Sequence, residues 1–327
     1  MDLSYSDGSR YDPEIVRFFD VAHTGAHVRA IAQYIAAGEL ADLEGMGARS
    51  VIVLSSSAED AAVVRMVLGT VEPPCPVVVS RDLPAFVGPL DIVLVSTDGS
   101  LIAEEQATKA LSEAVRRGTR TFLVQGSSYL RDESPAPVIP VPPTAGSDPN
   151  PIRLAYALSA VIQSLRFDKR VVAEELERAA TILDEDLVGL SPERDATVNP
   201  ARELRAAVVD ACAIHTATPE YQAAAEVIAR MWQRHGIVCF AADNAVIEAF
   251  NQKIPSSNDP FFDPFMDQGD AVLRLKVIVW GVEHAPTVAF ASGTISQHCP
   301  DGSPGKLVTA ARFIVRALAA AIYELDE

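Results

Sequence analysis

Two hydroxyl-rich stretches, Ser55-Ser56-Ser57-Ala58-Glu59 and Ser96-Thr97-Asp98-Gly99-Ser100, have the residue types and setting to hold a small molecule. Each follows a short run of β-branched and apolar residues and precedes a helical pattern. At such a strand-to-helix turn the first amide N–H groups of the helix lack intrahelical partners and the helix dipole is positive, so amides and hydroxyls together can hold an anion. The same serines serve equally as N-caps, for which one side-chain oxygen suffices. Neither G-x-G-x-x-G nor G-x-x-x-x-G-K-[ST] occurs, which removes the main support for dinucleotide or nucleoside triphosphate binding, and no cofactor is expected.

Acid–base chemistry has fewer candidates. Glu283 and His284 follow the apolar run Leu273–Trp280, where an α/β fold presents its chemistry; the plainer reading is an exposed loop pair. His215 ends another apolar run, where it could reach a cleft or, on the plainer reading, serve as a hydrogen-bonded structural histidine, and His298, in a Gly/Ser/Pro-rich stretch, reads as solvated. The acidic-aromatic segment Asp259–Asp267 offers Asp263 and Asp267 to a cation, or else packs its phenylalanines over a core edge with the carboxylates in water. The four cysteines, Cys75, Cys212, Cys239 and Cys299, form no Cys-x-x-Cys pair and have no histidine at ligand spacing, so no metal is expected. Cys212 and Cys239 sit in apolar runs and read as buried thiols.

The elements that must position these residues alternate. Ser50–Leu54 reads as a strand buried on both faces, Val77–Ser80 and Asp91–Val95 as buried strands and Thr121–Val124 as a further strand, with helices after the two serine turns, the second from about Ile102 to Arg117. Two helical patterns, Pro13–Ala22 and Ala26–Ala37, precede the first strand. Seven prolines between Ser134 and Pro151 exclude helix there and suit an edge strand at Val138–Val141. Helices follow at Ile152–Arg166 and Val171–Leu187, and Asn199-Pro200 has the cap-then-proline signature of another start. The second half repeats the alternation: strands at Cys212–Thr216, Ile237–Ala241 and Leu273–Trp280, helices at Glu220–Gln233, Asn244–Lys253 and Gly305 to about Leu325. The expected division is 1–150, a helical connector 151–198, and 199–327.

Composition bounds the function classes. With 327 residues, 49% hydrophobic and 22% charged, the chain has core enough for two α/β units. A net charge of −17 argues against nucleic acid and anionic membrane surfaces, which need clustered Lys and Arg. No segment has the length of apolar residues a membrane span requires and the amino terminus lacks a basic and apolar leader, so a cytoplasmic location is expected.

The series Arg81-Asp82-Leu83-Pro84, Ile92–Ser96, Arg117-Gly118, Val138-Ile139-Pro140-Val141-Pro142, Arg153-Leu154-Ala155-Tyr156-Ala157-Leu158 and Asn199-Pro200-Ala201 resembles, in order and spacing, the bifunctional phosphoglucose/phosphomannose isomerases. These are built of two sugar-isomerase (SIS) domains. The resemblance covers most of residues 14–250. It implies an α/β fold of two SIS-type domains, each a parallel sheet flanked by helices in a flavodoxin-like three-layer αβα arrangement. It also implies a phosphosugar or related small-molecule ligand at Ser55, Ser56, Ser57, Ser96, Asp98, Gly99 and Ser100, and a homodimer. The apolar face of Gly305–Leu325 would serve that dimer, or else lie on the second sheet.

The chain departs from the family where chemistry is done. The first family turn, Gly-Met-Gly-Gly-Ser-Ala, is Val53-Leu54-Ser55-Ser56-Ser57-Ala58 here, and the second, Ser-Tyr-Ser-Gly-Asn-Thr-Glu-Glu, is Ser96-Thr97-Asp98-Gly99-Ser100-Leu101-Ile102-Ala103. A carboxylate about 4 Å from a phosphate costs roughly 4 kcal/mol at an effective dielectric near 20, so Asp98 in such a cradle opposes phosphate. The family's catalytic Glu motif falls near Arg234-His235-Gly236-Ile237-Val238, without a carboxylate, and its His motif near Asp259–Asp267, without a histidine. The expectation is therefore a carbohydrate-derivative (sugar-phosphate) binding protein, or alternatively an aldose–ketose isomerase that uses replacement groups such as Glu283 and His284.

Overall fold

Ser50–Leu54 (β1) and Asp91–Ser96 (β3) are buried at every position, and strands without an exposed face belong inside a parallel sheet. In the computed structural model, which describes residues 12–142, 149–253, 274–285, 287, 288, 291, 293–299 and 305–323, they pair side by side as the central strands of the first sheet. Val77–Ser80 (β2) and Arg120–Gln125 (β4) pair outside them, all parallel, giving the order β2-β1-β3-β4. Ala211–Ala217 (β5), Cys239–Ala241 (β6), Arg274–Trp280 (β7) and Thr294–Gln297 (β8) form a second parallel sheet of the same design, β6-β5-β7-β8. This is the α/β, two-sheet architecture expected from the sequence.

Helices Pro13–Ala22 (α1), Thr24–Ala36 (α2), Ala58–Thr70 (α3), Leu101–Arg116 (α4) and Ser128–Asp132 (α5) belong to the first half. Pro151–Ser164 (α6) and Lys169–Gly189 (α7) follow. Pro200–Ala207 (α8), Gln222–Arg234 (α9), Asn244–Lys253 (α10) and Lys306–Ile322 (α11) complete the second. All of α6 is buried, as a helix apolar on every side must be, and it packs against α2 and α3. The two halves meet where α3 lies on α9. There Arg234 donates to both oxygens of the buried Glu59, each at 2.9 Å, and Arg65 pairs with Glu226. Helix α11 is buried against α7, α8 and α9, with the indole N–H of Trp232 donating to the carbonyl of Ala317 at 2.8 Å. Its apolar face, offered by the sequence to a second copy or to the second sheet, is consumed within the chain.

Two expectations need correction, and one strand has no counterpart among them. Val77–Ser80 is a strand but a half-buried one, because it lies at the edge of the sheet. Val138–Val141 is no strand: it makes a single parallel bridge, Leu123 with Val138, because Pro137 and Pro140 have no N–H to extend a ladder. Strand β8 has no sequence signature: Thr294-Ile295-Ser296-Gln297 is short, half-buried and mostly polar, so it carries neither alternation nor an apolar run. Cys212 and Cys239 are buried, and burial pushes the Cys239 thiol up to about 12. Among the described residues no helix is long and apolar enough to cross a membrane.

Asn199 performs the capping the sequence predicts. Its side-chain oxygen accepts from the amides of Ala201 (3.0 Å) and Arg202 (3.3 Å), while its NH2 donates to the Ser191 carbonyl and the Tyr323 hydroxyl. Asn199→Ala removes the cap and two further bonds at a buried position, so it should destabilise the chain by about 2–3 kcal/mol. Urea denaturation at equilibrium measures this, and a loss below about 0.5 kcal/mol would contradict the capping role.

Candidate functional site

In each sheet the chain turns first to one side and then to the other, and the reversal in the first sheet falls between β1 and β3. Ligands of open α/β sheets sit outside the carboxyl ends of the strands at this point. Here it is flanked by both serine turns, Ser55–Ser57 after β1 and Ser96–Ser100 after β3. A register shift in the β3–β4 pairing at Val95/Ser96 re-aims the chain as it enters the second turn.

Both turns use their donors internally. Ser57 caps α3, its hydroxyl oxygen accepting from the amides of Glu59 (3.2 Å) and Asp60 (3.3 Å), while its own amide donates to the Ser55 hydroxyl at 3.1 Å. Ser100 caps α4 by accepting from the Ala103 amide at 3.4 Å. The amide of Gly99 donates to Thr97 Oγ1 at 3.2 Å, and that of Ser100 to Asp98 Oδ1 at 3.0 Å. Gly99 takes a φ of +79°, which lets the chain curl back on itself without a Cβ penalty. Asp98, Gly99, Ser100 and Ser56 are exposed, and Leu101, the first residue of α4, is 89% exposed.

The carboxylate inside the crevice is Asp60 rather than Asp98. Asp60 is 3% exposed, and its Oδ2 accepts from the Ser55 hydroxyl at 2.7 Å. Burial raises its pKa; hydrogen bonds from Ser55 and Ser96 oppose the rise, and the nearby Asp98 adds to it. The Ser96 oxygen also accepts from Gln125 Nε2 at 3.0 Å, and Gln125 Oε1 accepts the Asn150 amide at 2.6 Å, tying β3, β4 and the start of α6 together. A side-chain carboxylate thus takes the hydroxyl of Ser55 and lies close to that of Ser96, the groups that an anionic ligand would need.

Beyond Gln125 the surroundings change sign. Thr97, Gly99, Gln125, Gly126, Arg131, Arg153 and His27 line a constriction that, through His27 and Pro149, adjoins a wider cleft between the halves. The cleft measures about 180 Å³ and is lined by Arg17, Asp20, Asn150, Arg234 and His235 over Val21, Leu318 and Ile322. Sequence reading named neither Asp60 nor His27 and quoted Arg153 only within the resemblance. The spacing Ser57-Ala58-Glu59-Asp60 matches the [ST]-x-x-[DE] pattern of a helix start and so marks Asp60, although the Ser57 amide bonds Ser55 in place of Asp60; no local signal marks His27.

The other candidates lie apart from this crevice. Glu283 and His284 are exposed in the turn after β7. His215 is fully buried in the second half, its Nδ1 accepting from the Trp280 indole N–H at 3.2 Å, and burial lowers its pKa to about 3, which fits a structural role. His298 is half-buried after β8 instead of solvated, its carbonyl accepting from Arg316. Asp263 and Asp267 lie outside the described residues. The corresponding reversal in the second sheet is closed by its own side chains: Asn244 bonds to Thr216 and the Ala217 carbonyl, and Gln222 to the Ala217 amide and the Ala242 carbonyl. Among the described residues no group of three or more His, Cys, Asp or Glu is placed to hold a metal ion.

No known family model matches the chain, and no curated protein matches it in sequence. Solved structures do share its fold. The C-terminal domain of glucosamine-fructose-6-phosphate aminotransferase from Francisella tularensis superposes with a TM-score of 0.56 at 11% identity, covering 97% of this chain and 96% of that one. Tagatose-6-phosphate ketose/aldose isomerase from Escherichia coli gives 0.53 at 12% identity, over 93% and 91%. Glucosamine-6-phosphate deaminase from Thermotoga maritima gives 0.51 at 10% identity, over 95% and 93%. At these identities the likeness is one of fold: two parallel four-stranded sheets flanked by helices, the tandem SIS-type architecture.

Proposed function

We propose that this chain is a divergent member of the phosphoglucose/phosphomannose isomerase lineage that binds a carbohydrate derivative in the crevice at the carboxyl edge of the first sheet. On this reading it acts by binding, without the family's aldose–ketose chemistry. The observation that carries the reading is the buried Asp60 carboxylate, which accepts from Ser55 and lies beside Ser96 at the point where the two turns converge. A polyhydroxy ligand suits such a surface, because its hydroxyls can donate to Asp60 and Asp98 and accept from Thr97 and Gln125. All three fold relatives described above carry a phosphorylated sugar in their names, which supports a sugar derivative as the ligand class.

A second reading, an active isomerase with replacement groups, is favoured by the presence of two buried titratable side chains, Asp60 and His27, at the same edge of the sheet. Glu283 and His284, exposed and outside the crevice, give it no support. A coupled assay with fructose 6-phosphate and mannose 6-phosphate, run beside thermal-shift measurements with sugars, sugar phosphates and sugar acids, separates the two. The binding reading expects no turnover and stabilisation by at least one carbohydrate derivative. Turnover in the ordinary enzymatic range of about 1–10³ s⁻¹ would overturn it in favour of the isomerase.

A further inference from the structure

The crevice has one end where positive charge is left unmet. Arg153, 3% exposed in the first turn of α6, donates its Nε to the Val124 carbonyl at 2.6 Å, Nη1 to the Pro140 carbonyl at 2.5 Å and Nη2 to the Ile139 carbonyl. Three carbonyls satisfy its hydrogen bonds but supply no negative charge, and among the described residues no carboxylate pairs with it. Burial and the neighbouring Arg131 pull its pKa down to about 9, the response of a cation in need of a counter-ion. Arg131 donates to the Gly126 carbonyl at 3.3 Å and likewise has no ion-pair partner among the described residues. Two such cations on one wall are conspicuous in a chain of net charge −17, and a cleft with low-dielectric walls concentrates their field.

An independent observation points to the same place. His27, 6% exposed on α2, lines both the constriction and the wider cleft, and its Nδ1 is buried with no hydrogen-bond partner. Burial, with Arg153 and His23 beside it, holds its pKa near 4, so the ring is neutral at neutral pH. An unpaired buried polar atom costs about 1–3 kcal/mol, which a ligand group placed there would recover. At the serine turns Ser57, Gly99, Ser100 and Ala103 have committed their amides, and the cation that lines the space between them, Arg81, is exposed rather than buried. The constriction, about 20 Å³, admits a single water-sized group, whereas the adjoining cleft has room for a ligand body.

We propose that the ligand's anionic group, a phosphate or carboxylate on a polyhydroxy body, lies at the mouth of the constriction with one oxygen directed at Arg131 and Arg153, and that His27 Nδ1 bonds to a ligand hydroxyl in the wider cleft. The serine turns then meet only the neutral part of the ligand. This rests on the carbohydrate-derivative reading and moves the charged end of that ligand from the turns to the arginines.

Isothermal titration calorimetry at matched ionic strength tests it, with inorganic phosphate, glucose 6-phosphate, gluconate and glucose as probes. The proteins are the unaltered chain, Arg131→Gln at a half-buried surface position, and His27→Gln with its fold verified by circular dichroism. The expected result is that Arg131→Gln weakens the anionic probes about 10- to 100-fold and leaves glucose unchanged, while His27→Gln weakens the sugar probes and spares inorganic phosphate. The tighter of glucose 6-phosphate and gluconate identifies the anion. Sugar probes bound with no dependence on Arg131 would overturn the arginine seat and leave the carbohydrate reading standing. Inorganic phosphate bound through Arg131 with no sugar probe bound would keep the seat and overturn that reading. Absence of binding by every probe would overturn both.

Discussion

Asp60→Asn removes the charge that repels an anion from the serine turns, so that whatever affinity those turns have for inorganic phosphate rises, by up to about a thousandfold over the unaltered protein. The size follows from one unit charge roughly 4 Å from the anion at an effective dielectric near 20, about 4 kcal/mol. Asparagine keeps the shape and can still accept from Ser55, so the variant isolates the charge; Asp60→Ala would in addition release the hydroxyls of Ser55 and Ser96. The same change alters the pH dependence of stability. Burial raises the folded pKa of Asp60 above its unfolded value. Such a carboxyl group contributes its stabilisation fully below the unfolded pKa, about 3.9, and loses it as pH rises through the folded value. Relative to the unaltered chain, Asp60→Asn should therefore gain Tm as pH is raised from about 4 to 8. Calorimetric titration with phosphate and thermal melts across that range read both effects. A variant with unchanged phosphate affinity and a parallel melting profile would show that the Asp60 charge does not govern the turns.

Arg153→Met destabilises the chain by about 3–5 kcal/mol, a large share of an ordinary domain's stability. Methionine replaces the volume of the stem but leaves the carbonyls of Val124, Ile139 and Pro140 without their donors in a buried setting. Those carbonyls come from the end of β4 and from the proline-rich segment beyond it, so the guanidinium clamps a stretch that prolines bar from the sheet ladder. Arg153→Lys should recover only part of the loss, because one ammonium cannot reproduce a planar fork that reaches three acceptors. The midpoint of urea denaturation provides the measurement. A loss below about 1 kcal/mol for Arg153→Met would mean that the clamp is dispensable and that Arg153 is held for its charge alone.

The strands of the first sheet are legible in the sequence because a central parallel strand must be apolar on both faces, as Ser50–Leu54 and Asp91–Ser96 are. Asn199-Pro200 is legible because capping is local. Strand β8 is not, since its four residues are half-buried and take their place only from pairing with β7. The crevice divides in the same way. Its serines and Gly99 announce themselves by composition, but Asp98 stands in the more conspicuous motif and proves exposed, while Asp60, one residue beyond the stretch that drew attention, is the buried carboxylate. Its neighbour Ser96 comes from a turn 36 positions away in sequence, a proximity that no local pattern encodes. His27 and Arg131 meet Arg153 only through tertiary folding, so their joint chemistry is invisible to periodicity and spacing.

The most direct test of where this protein holds its ligand is a crystal structure grown with glucose 6-phosphate or gluconate, whichever binds more tightly in solution. The predicted result places the anionic group against Arg131 and Arg153 and a ligand hydroxyl on His27 Nδ1, with Asp60 still bonded to Ser55. An anion found instead on the amides and hydroxyls of Ser55–Ser57 and Ser96–Ser100, with Asp60 displaced from them, would contradict it.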